Sequence, residues 1–303
     1  MAIRFDGKVV IVTGAGGGLG RCHALEFAKL GAKVVVNDLG GARDGTGGNS
    51  AAAEAVVAEI KAAGGEAIAN GASVSDDAGV AHLVKQTMDT YGRVDVLIAN
   101  AGILRDKSFS KMEMADFEAV LNVHVYGTVK PARALWQIFR DQKYGRIVVT
   151  TSSSGLYGNF GQANYTTAKM GLVGLMNTLR LEGARDNIKV NAILPVAATR
   201  MTEGLLPPDM QALLKPEFVT PAVVYLASEE APTGMIVSAA AGVYAAARIE
   251  QCDGVRLGTN ATADDVAANF AKIADFSNAR HYEEGTEMVQ NFFGHLQDKP
   301  LVG

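Results

Sequence analysis

A tyrosine and a lysine four residues apart, Tyr165 and Lys169, are the side chains in this sequence best suited to proton transfer. On an α-helix, residues i and i+4 lie on one face, so the ammonium group can act on the phenol. An unperturbed tyrosine titrates near ~10, and a neighbouring cation favours its ionised form. We therefore expect Lys169 to lower the pKa of Tyr165 and make the phenol a proton donor and acceptor near neutral pH.

A glycine-rich run near the N-terminus accompanies this pair. Residues 13–20 read TGAGGGLG, with glycines at Gly14, Gly18 and Gly20, and Leu19 stands where the last glycine of a G-x-G-x-x-G fingerprint would fall. Glycines between a strand and a helix let the backbone approach a pyrophosphate, which then rests on the helix N-terminus. The spacing predicts a dinucleotide site at these four residues.

An acidic residue, Asp38, ends the second predicted strand, 18 residues after Gly20. At this offset a carboxylate accepts hydrogen bonds from the adenosine ribose hydroxyls. A 2′-phosphate there would face a like charge, at a cost of roughly 1 to 4 kcal/mol at about 4 Å. We predict NAD as the cofactor rather than NADP, although the cations Arg21 and Arg43 lie close in sequence.

The chain that must position these groups alternates between apolar runs and stretches with apolar residues at helical spacing. Strands that are apolar on both faces are typical of a parallel sheet covered by helices. We predict an α/β fold, a doubly wound parallel sheet of the Rossmann type, with its ligand at the carboxyl ends of the strands. The predicted strands are 8–13, 33–37, 66–69, 94–99, 146–151, 189–194 and 235–238, and the predicted helices are 19–30, 50–63, 76–91, 114–140 and 165–185.

Two segments depart from this alternation. Residues 40–49 contain five glycines and are predicted to form a flexible surface loop. Residues 245–303 continue past the last predicted strand, with helical pieces at 263–275 and 282–293. We predict a single dinucleotide-binding and catalytic domain over residues 1–244, and a C-terminal helical extension over residues 245–303 that packs on it.

Composition excludes several classes of protein. A net charge of −4 gives no basic field for nucleic acid. The two cysteines, Cys22 and Cys252, have neither metal-ligand spacing nor a disulfide framework, so we expect no metal and a reducing compartment. No apolar run reaches the ~20 residues of a membrane span, and no targeting signal is evident. We expect a cytoplasmic protein without nucleic-acid or membrane partners.

These motifs resemble those of the short-chain dehydrogenase/reductase superfamily over residues 5–245. In that family a serine lies thirteen positions before the tyrosine, which selects Ser152 from the cluster Ser152 to Ser154. The resemblance implies that Tyr165 exchanges a proton with the substrate oxygen, Ser152 holds that oxygen, and Lys169 lowers the tyrosine pKa and binds the nicotinamide ribose. It also implies cofactor contacts at Ser73, Val74 and Asn100.

Two positions differ from the usual family pattern. The asparagine expected in the helix after the fourth strand aligns with His124, while Asn122 lies two residues, about 200°, around the helix. His124 either maintains a proton relay to Lys169 or is a packed histidine, and both remain open. Residues 195–200 replace the family's Pro-Gly, so Thr199 or Thr202 is expected to contact the cofactor.

A narrower resemblance is carried by residues 36–41, 102–109 and 157–165, which are similar to the dehydrogenase domain of the peroxisomal multifunctional enzymes of type 2. It implies oxidation of a (3R)-3-hydroxyacyl-CoA to the 3-oxoacyl-CoA. Two alternatives stay open: a dehydrogenase of hydroxysteroids or other bulky secondary alcohols, and a non-catalytic dinucleotide-binding scaffold. The intact Ser152, Tyr165 and Lys169 disfavour the scaffold.

An acyl-CoA or steroid-like substrate requires an apolar pocket, and the CoA phosphates also require a basic rim. Candidates for the rim are Arg105, Lys107 and Arg200, and candidates for the pocket are Phe109, Leu156, Tyr157 and Phe160. Family relatives pair through the helices equivalent to 114–140 and 165–185. A homodimer or homotetramer is therefore expected.

Overall fold

A computed structural model describes residues 2–198, 211 and 213–298, with backbone only for 297 and 298. Its main element is an eight-stranded sheet with the order β3-β2-β1-β4-β5-β6-β7-β8. The strands are β1 Val9–Thr13, β2 Lys33–Asn37, β3 Glu66–Asn70, β4 Val96–Ala99, β5 Gly145–Thr150, β6 Ile188–Pro195, β7 Ile236–Ala240 and β8 Val243–Ala247.

Helices follow most of the strands. They are α1 Gly18–Lys29, α2 Ala51–Ala62, α3 Asp77–Tyr91, α4 Met114–Leu121, α5 Gly127–Gln142, α6 Ser153–Tyr157, α7 Ala163–Glu182 and α8 Thr220–Leu226. Neighbouring strands from β3 to β7 pair in parallel, and the residues of β1, β4 and β5 are all buried. The prediction of a doubly wound parallel sheet is confirmed. Its strand order reverses between β1 and β4, where such sheets bind their ligands.

The last strand, β8, is absent from the sequence prediction. It follows β7 through a two-residue turn at Ala241 and Gly242, which both have positive φ, at 48° and 78°. This conformation is typical of a tight hairpin turn. The alanine-rich strand lacks the continuous β-branched pattern of the buried strands, so sequence periodicity gave no signal for it.

The predicted helix over 114–140 is interrupted. Between α4 and α5, residues Asn122–Tyr126 form a π-helical turn that contains the buried His124. Such turns are rare and occur frequently at functional sites. Apolar periodicity did not indicate the interruption, because the residues on both sides keep helical spacing.

Residues 1–246 form one compact unit and residues 247–303 a second. The second unit contains the helices α9 Ala263–Ala268, α10 Phe270–Ile273 and α11 Gly285–Asp298, and a capping box at Thr262 and Asp265 begins α9. That the extension packs on the catalytic domain stays a prediction. In the described part of the chain, no helix is both long and apolar enough to span a membrane.

Candidate active site

The glycine-rich loop joins β1 to α1 in a conformation that requires glycine. Gly14 and Gly18 have positive φ of 64° and 51°, and a Cβ atom on Gly20 would overlap the carbonyl oxygen of Gly14. No side chain caps the N-terminus of α1. Its first N–H groups are therefore available to an anion, as a dinucleotide pyrophosphate requires.

Asn100 holds this loop from the end of β4. Its Nδ2 donates to the carbonyl oxygens of Thr13 at 3.0 Å and Gly14 at 3.1 Å, and its backbone N–H donates to Thr13 Oγ1 at 3.0 Å. Because these bonds join β4 to the loop after β1, they fix the loop across the point where the strand order reverses. This placement agrees with the supporting function predicted for Asn100.

Asp38 lies directly after β2, beside the glycine loop. Its carboxylate accepts hydrogen bonds from the backbone N–H groups of Gly16, at 2.7 Å, and Gly40, at 2.6 Å. Arg21 is turned away from it, since its guanidinium pairs with Glu59 of α2. Among the cations near Asp38 in sequence, only Arg43 lines the same cleft within the described residues.

This cleft has a volume of about 300 Å³ and lies at the carboxyl ends of β1, β2 and β4. It brings together most of the predicted cofactor residues, namely Gly14, Gly18, Leu19, Asp38, Ser73, Val74 and Asn100. Gly20 is packed behind the loop instead of lining the cleft. Thr199 and Thr202 lie outside the described residues.

The three predicted catalytic residues meet at the end of β5. Ser152 is the N-cap of α6, and Tyr165 and Lys169 lie one turn apart on α7. The Ser152 hydroxyl acts to lower the pKa of the Tyr165 phenol, and Lys169 Nζ lies 5.5 Å from the centre of the tyrosine ring. Lys169 Nζ donates to the carbonyl oxygen of Thr150 at 2.6 Å. A proton donor, a hydroxyl and an amine are thus gathered around one point.

Burial governs the protonation of this cluster. It lowers the pKa of Lys169 to about 7, because the ammonium loses its hydration. It also raises the pKa of Tyr165, while the Ser152 hydrogen bond opposes the rise and the Asp106 charge adds to it. The expected lowering of the tyrosine pKa is therefore wrong: the pKa is raised, and desolvation is the largest cause.

His124 packs edge-on against Tyr165, with 5.2 Å between ring centres. Its Nε2 lies 3.1 Å from the backbone nitrogen and 2.9 Å from the carbonyl oxygen of Ile103. Burial, with a smaller contribution from the Lys169 charge, holds the pKa of His124 well below its usual range, so the ring is neutral. Its Nδ1 has no partner among the described residues, and no direct hydrogen bond joins the ring to Lys169.

Asn164 is a site residue that the motifs did not indicate. It is fully buried, its Oδ1 accepts the Tyr165 backbone N–H at 2.7 Å, and its Nδ2 donates to the Arg105 carbonyl oxygen at 2.9 Å. It therefore joins the start of α7 to the segment after β4. An asparagine directly before the predicted helix 165–185 was the available signal, because such residues commonly bond nearby backbone groups.

The glycine-rich segment 40–49 packs on this same segment. The backbone N–H of Leu104 donates to the Arg43 carbonyl oxygen at 3.0 Å, and Arg105 Nε donates to the Asp44 carbonyl oxygen at 2.9 Å. The loop lies at the surface as predicted, but it is attached and forms part of the cofactor cleft wall. Sequence composition had indicated neither contact.

The predicted substrate residues divide into two groups. Arg105 and Lys107 both pair with the single carboxylate of Asp116, at 3.3 and 3.0 Å, which offsets their two positive charges in part. The aromatic side chains Phe109, Tyr157 and Phe160 are 78, 77 and 92% exposed, so they lie on the surface rather than in the core. Leu156 is partly buried, and Arg200 lies outside the described residues.

Comparison with known proteins assigns the class of this site. The sequence matches the short chain dehydrogenase family over residues 8–208, which is more than half of the chain. The chain belongs to this family, and it is an oxidoreductase that acts on CH–OH groups. Members of the family typically bind NAD or NADP, which agrees with the cleft and its glycine loop.

Individual relatives narrow the resemblance. The chain is 52% identical over 274 residues to a short-chain type dehydrogenase/reductase of Mycobacterium tuberculosis, covering 90% of this chain and 96% of the relative. It is 47% identical over 304 residues to the peroxisomal multifunctional enzyme A of Dictyostelium discoideum, covering 100% of this chain and 68% of that enzyme.

Among solved structures, full-length peroxisomal multifunctional enzyme type 2 from Drosophila melanogaster superposes with a TM-score of 0.83 at 38% identity. The alignment covers 97% of this chain and 50% of that one, so this chain spans half the length of the larger enzyme. The narrower resemblance seen in the sequence is confirmed.

Proposed function

We propose that this protein is an NAD-dependent dehydrogenase that oxidises a (3R)-3-hydroxyacyl-CoA to the 3-oxoacyl-CoA. The observation that carries the proposal is the cluster formed by the partly buried Ser152 and Tyr165 and the buried Lys169, beside a cleft shaped for a dinucleotide. A scaffold that only binds a dinucleotide has no use for these three groups together. Burial also opposes the charged forms of Tyr165 and Lys169, and such perturbed titratable groups are typical of catalytic sites.

The cofactor supplies the hydride acceptor when it is bound, and the protein supplies proton transfer and orientation. We assign Tyr165 as the group that exchanges a proton with the substrate oxygen and Ser152 as the hydroxyl that holds this oxygen. Lys169, with a pKa of about 7, can carry a proton or release it near neutral pH. It would bind the nicotinamide ribose and adjust the charge beneath the tyrosine.

NAD is preferred over NADP because of Asp38. Its carboxylate lies at the edge of the cleft. It accepts hydrogen bonds from the backbone N–H groups of Gly16, at 2.7 Å, and Gly40, at 2.6 Å. Each carboxylate oxygen has a further lone pair, which suits the two ribose hydroxyls. A 2′-phosphate would place negative charge beside it, while the fit of Gly14, Gly18 and Leu19 to the pyrophosphate is the same for both cofactors.

His124 serves as a positioning residue in this proposal. Its neutral ring holds Ile103 and packs against Tyr165, so it fixes the segment after β4 against α7. The alternative, a direct proton relay to Lys169, has no hydrogen bond to support it.

An acyl thioester substrate is supported by a relative named a 3-oxoacyl-[acyl-carrier-protein] reductase, which is 41% identical over 231 residues, whereas two structural neighbours that are hydroxysteroid dehydrogenases are only 28 and 29% identical. Two further relatives are peroxisomal hydratase-dehydrogenase-epimerase enzymes. Exposed aromatic residues at 109, 157 and 160 would contact the acyl chain. The pairing of Arg105 and Lys107 with Asp116 weakens both as CoA contacts, which leaves Arg43 as the described cation nearest the cleft. A homodimer or homotetramer and a cytoplasmic location stay predictions.

The test is NADH formation from NAD with a (3R)-3-hydroxyacyl-CoA, its (3S) isomer and a 17β-hydroxysteroid in parallel. Turnover of the (3R) thioester, slower with NADP, is expected. Turnover of the steroid instead would indicate that the substrate is a bulky secondary alcohol. Binding of NAD without turnover of any alcohol would favour the scaffold and contradict the assigned chemistry.

A further inference from the structure

A chain of hydrogen bonds extends from the catalytic serine to a surface carboxylate. The Ser154 backbone N–H donates to Ser152 Oγ at 3.2 Å, and the Ser154 hydroxyl donates to Gln162 Oε1 at 2.8 Å. Gln162 Nε2 then donates to Asp106 Oδ2 at 2.7 Å, and Asn159 Nδ2 also donates to Gln162 Oε1, at 3.0 Å. Three separate segments, those holding Asp106, Ser154 and Gln162, are joined in this way.

The donors and acceptors in this series of hydrogen bonds can be arranged in only one way. An ionised carboxylate only accepts hydrogen bonds, so the Gln162 NH₂ group must face Asp106 and its oxygen must face Ser154. The Ser154 hydroxyl is then obliged to donate to that oxygen. This fixes the first turn of α6, where the Ser154 backbone N–H occupies a lone pair of Ser152 Oγ. The donor that remains on Ser152 is its own proton.

We propose that Asp106 and Gln162 are positioning residues, which direct the Ser152 proton toward the oxygen shared by Tyr165 and the substrate. The inference rests on the proposed function, because it assigns Ser152 the task of holding the substrate oxygen. It adds two residues that lie outside the serine, tyrosine and lysine motif. Neither of them lines the cofactor cleft among its described residues.

The charge of Asp106 also reaches Tyr165. Among the described residues, three charged or titratable groups lie near the phenol or act on it: Lys169 beneath the ring, His124 at its edge and Asp106 at the far end of the hydrogen-bond series. His124 is neutral, and the Asp106 charge raises the pKa of Tyr165. Because Asp106 is exposed, solvent screens this effect, and orientation of the serine is the larger contribution.

The experiment compares Asp106→Asn and Gln162→Ala with Glu113→Gln in the full-length protein. Glu113 is an exposed carboxylate near Lys107, and its side chain makes no capping hydrogen bond, so it is a matched loss of charge. Asp106→Asn and Gln162→Ala should each lower kcat about three- to tenfold, which is the usual effect of losing one hydrogen bond, without changing KM for NAD. The double variant should be no slower than the worse single variant, because both break one chain. Glu113→Gln should keep wild-type kcat.

A second readout does not depend on the substrate. The Tyr165 signal among the eight tyrosines is assigned with Tyr165→Phe in ¹³C-tyrosine NMR, and its titration midpoint is followed. Gln162→Ala removes no charge, so it should move this midpoint to higher pH through loss of the Ser152 hydrogen bond that lowers the pKa of Tyr165, while Glu113→Gln should not move it. If the (3R) thioester is not a substrate but the midpoint moves, only the proposed function fails. An unchanged midpoint, or kcat losses that simply multiply in the double variant, would overturn the positioning chain.

Discussion

The cofactor cleft and the catalytic cluster meet at the same edge of the sheet, but they are built in opposite ways. The cleft is shaped by glycines and by hydrogen bonds between backbone groups and the side chains of Asn100 and Asp38. The cluster consists of titratable side chains whose charged forms are opposed by burial, and His124 Nδ1 and Thr150 Oγ1 within it have no partner among the described residues. The cofactor cleft is therefore built from groups whose hydrogen bonds are satisfied, whereas the catalytic cluster is built from groups whose charged forms are disfavoured by burial.

The largest expected effect is a loss of catalysis that leaves cofactor binding unchanged. Tyr165→Phe removes the exchangeable proton and leaves the ring, so kcat should fall about a thousandfold, within the range for loss of a general acid or base. The dissociation constant for NAD, measured by calorimetry, should stay within about twofold. A parallel loss of NAD affinity would show that the tyrosine belongs to the binding frame.

Lys169→Met tests the cost of burying the amine. The folded pKa of about 7 lies below the ordinary 10.5, so between these values the unfolded chain binds more protons. The charged lysine therefore opposes folding fully below pH 7, and this opposition fades as pH rises toward 10.5. The variant should be inactive yet more stable at pH 7 by about 2 kcal/mol, after loss of the hydrogen bond to Thr150. Urea unfolding at pH 7 and pH 9.5 should show the advantage shrinking; a constant difference would contradict the buried-charge explanation.

Asp38→Asn tests the cleft instead. Removing the carboxylate removes its repulsion of a 2′-phosphate, so the ratio of kcat/KM for NAD to that for NADP should fall about tenfold. Asp44→Asn is the control, since Asp44 lies in the same glycine-rich segment and is exposed. An equal change in both variants would mean that general charge, rather than contact with the ribose, selects the cofactor.

The smallest effect is expected at the border of the two regions. His124→Asn shortens the side chain that holds Ile103 but leaves a group able to bond its backbone, so kcat should fall about threefold or less. A proton relay would give a much larger loss and a changed pH profile, which the rate measured between pH 6 and 9 would show.

Most of the cofactor cleft could be predicted from the sequence because it depends on local spacing. Gly14 and Asp38 directly follow strands and Gly18 begins α1, and the alternation of strands and helices along the chain indicates all three places. Asn100 could be placed for the same reason. The seven predicted strands correspond to β1 to β7, with bounds shifted by only a few residues.

The residues of the catalytic cluster could be identified from the sequence, but their protonation and hydrogen bonds could not. Its protonation depends on how completely α7 and the segment after β4 exclude water, and no motif measures that. The packing of residues 40–49 on Leu104, the partners of Asn164 and the Asp106 chain all join residues far apart in sequence. The sign of the Tyr165 shift was predicted wrongly because the lysine was weighed as a charge without the desolvation of both groups.

The π-helical turn at residues 122–126 has a further meaning for the history of the chain. Such a turn holds one residue more than an α-helical path of the same length, and one residue corresponds to about 100° of rotation. A chain with one residue fewer between Leu121 and Gly127 would therefore form an unbroken α-helix with the faces of α4 and α5 unchanged, whereas the extra residue in α-helical conformation would turn α4 by about 100° relative to α5. An insertion absorbed here leaves both flanking faces in contact with their neighbours. The same addition elsewhere in the helix would have displaced one of them.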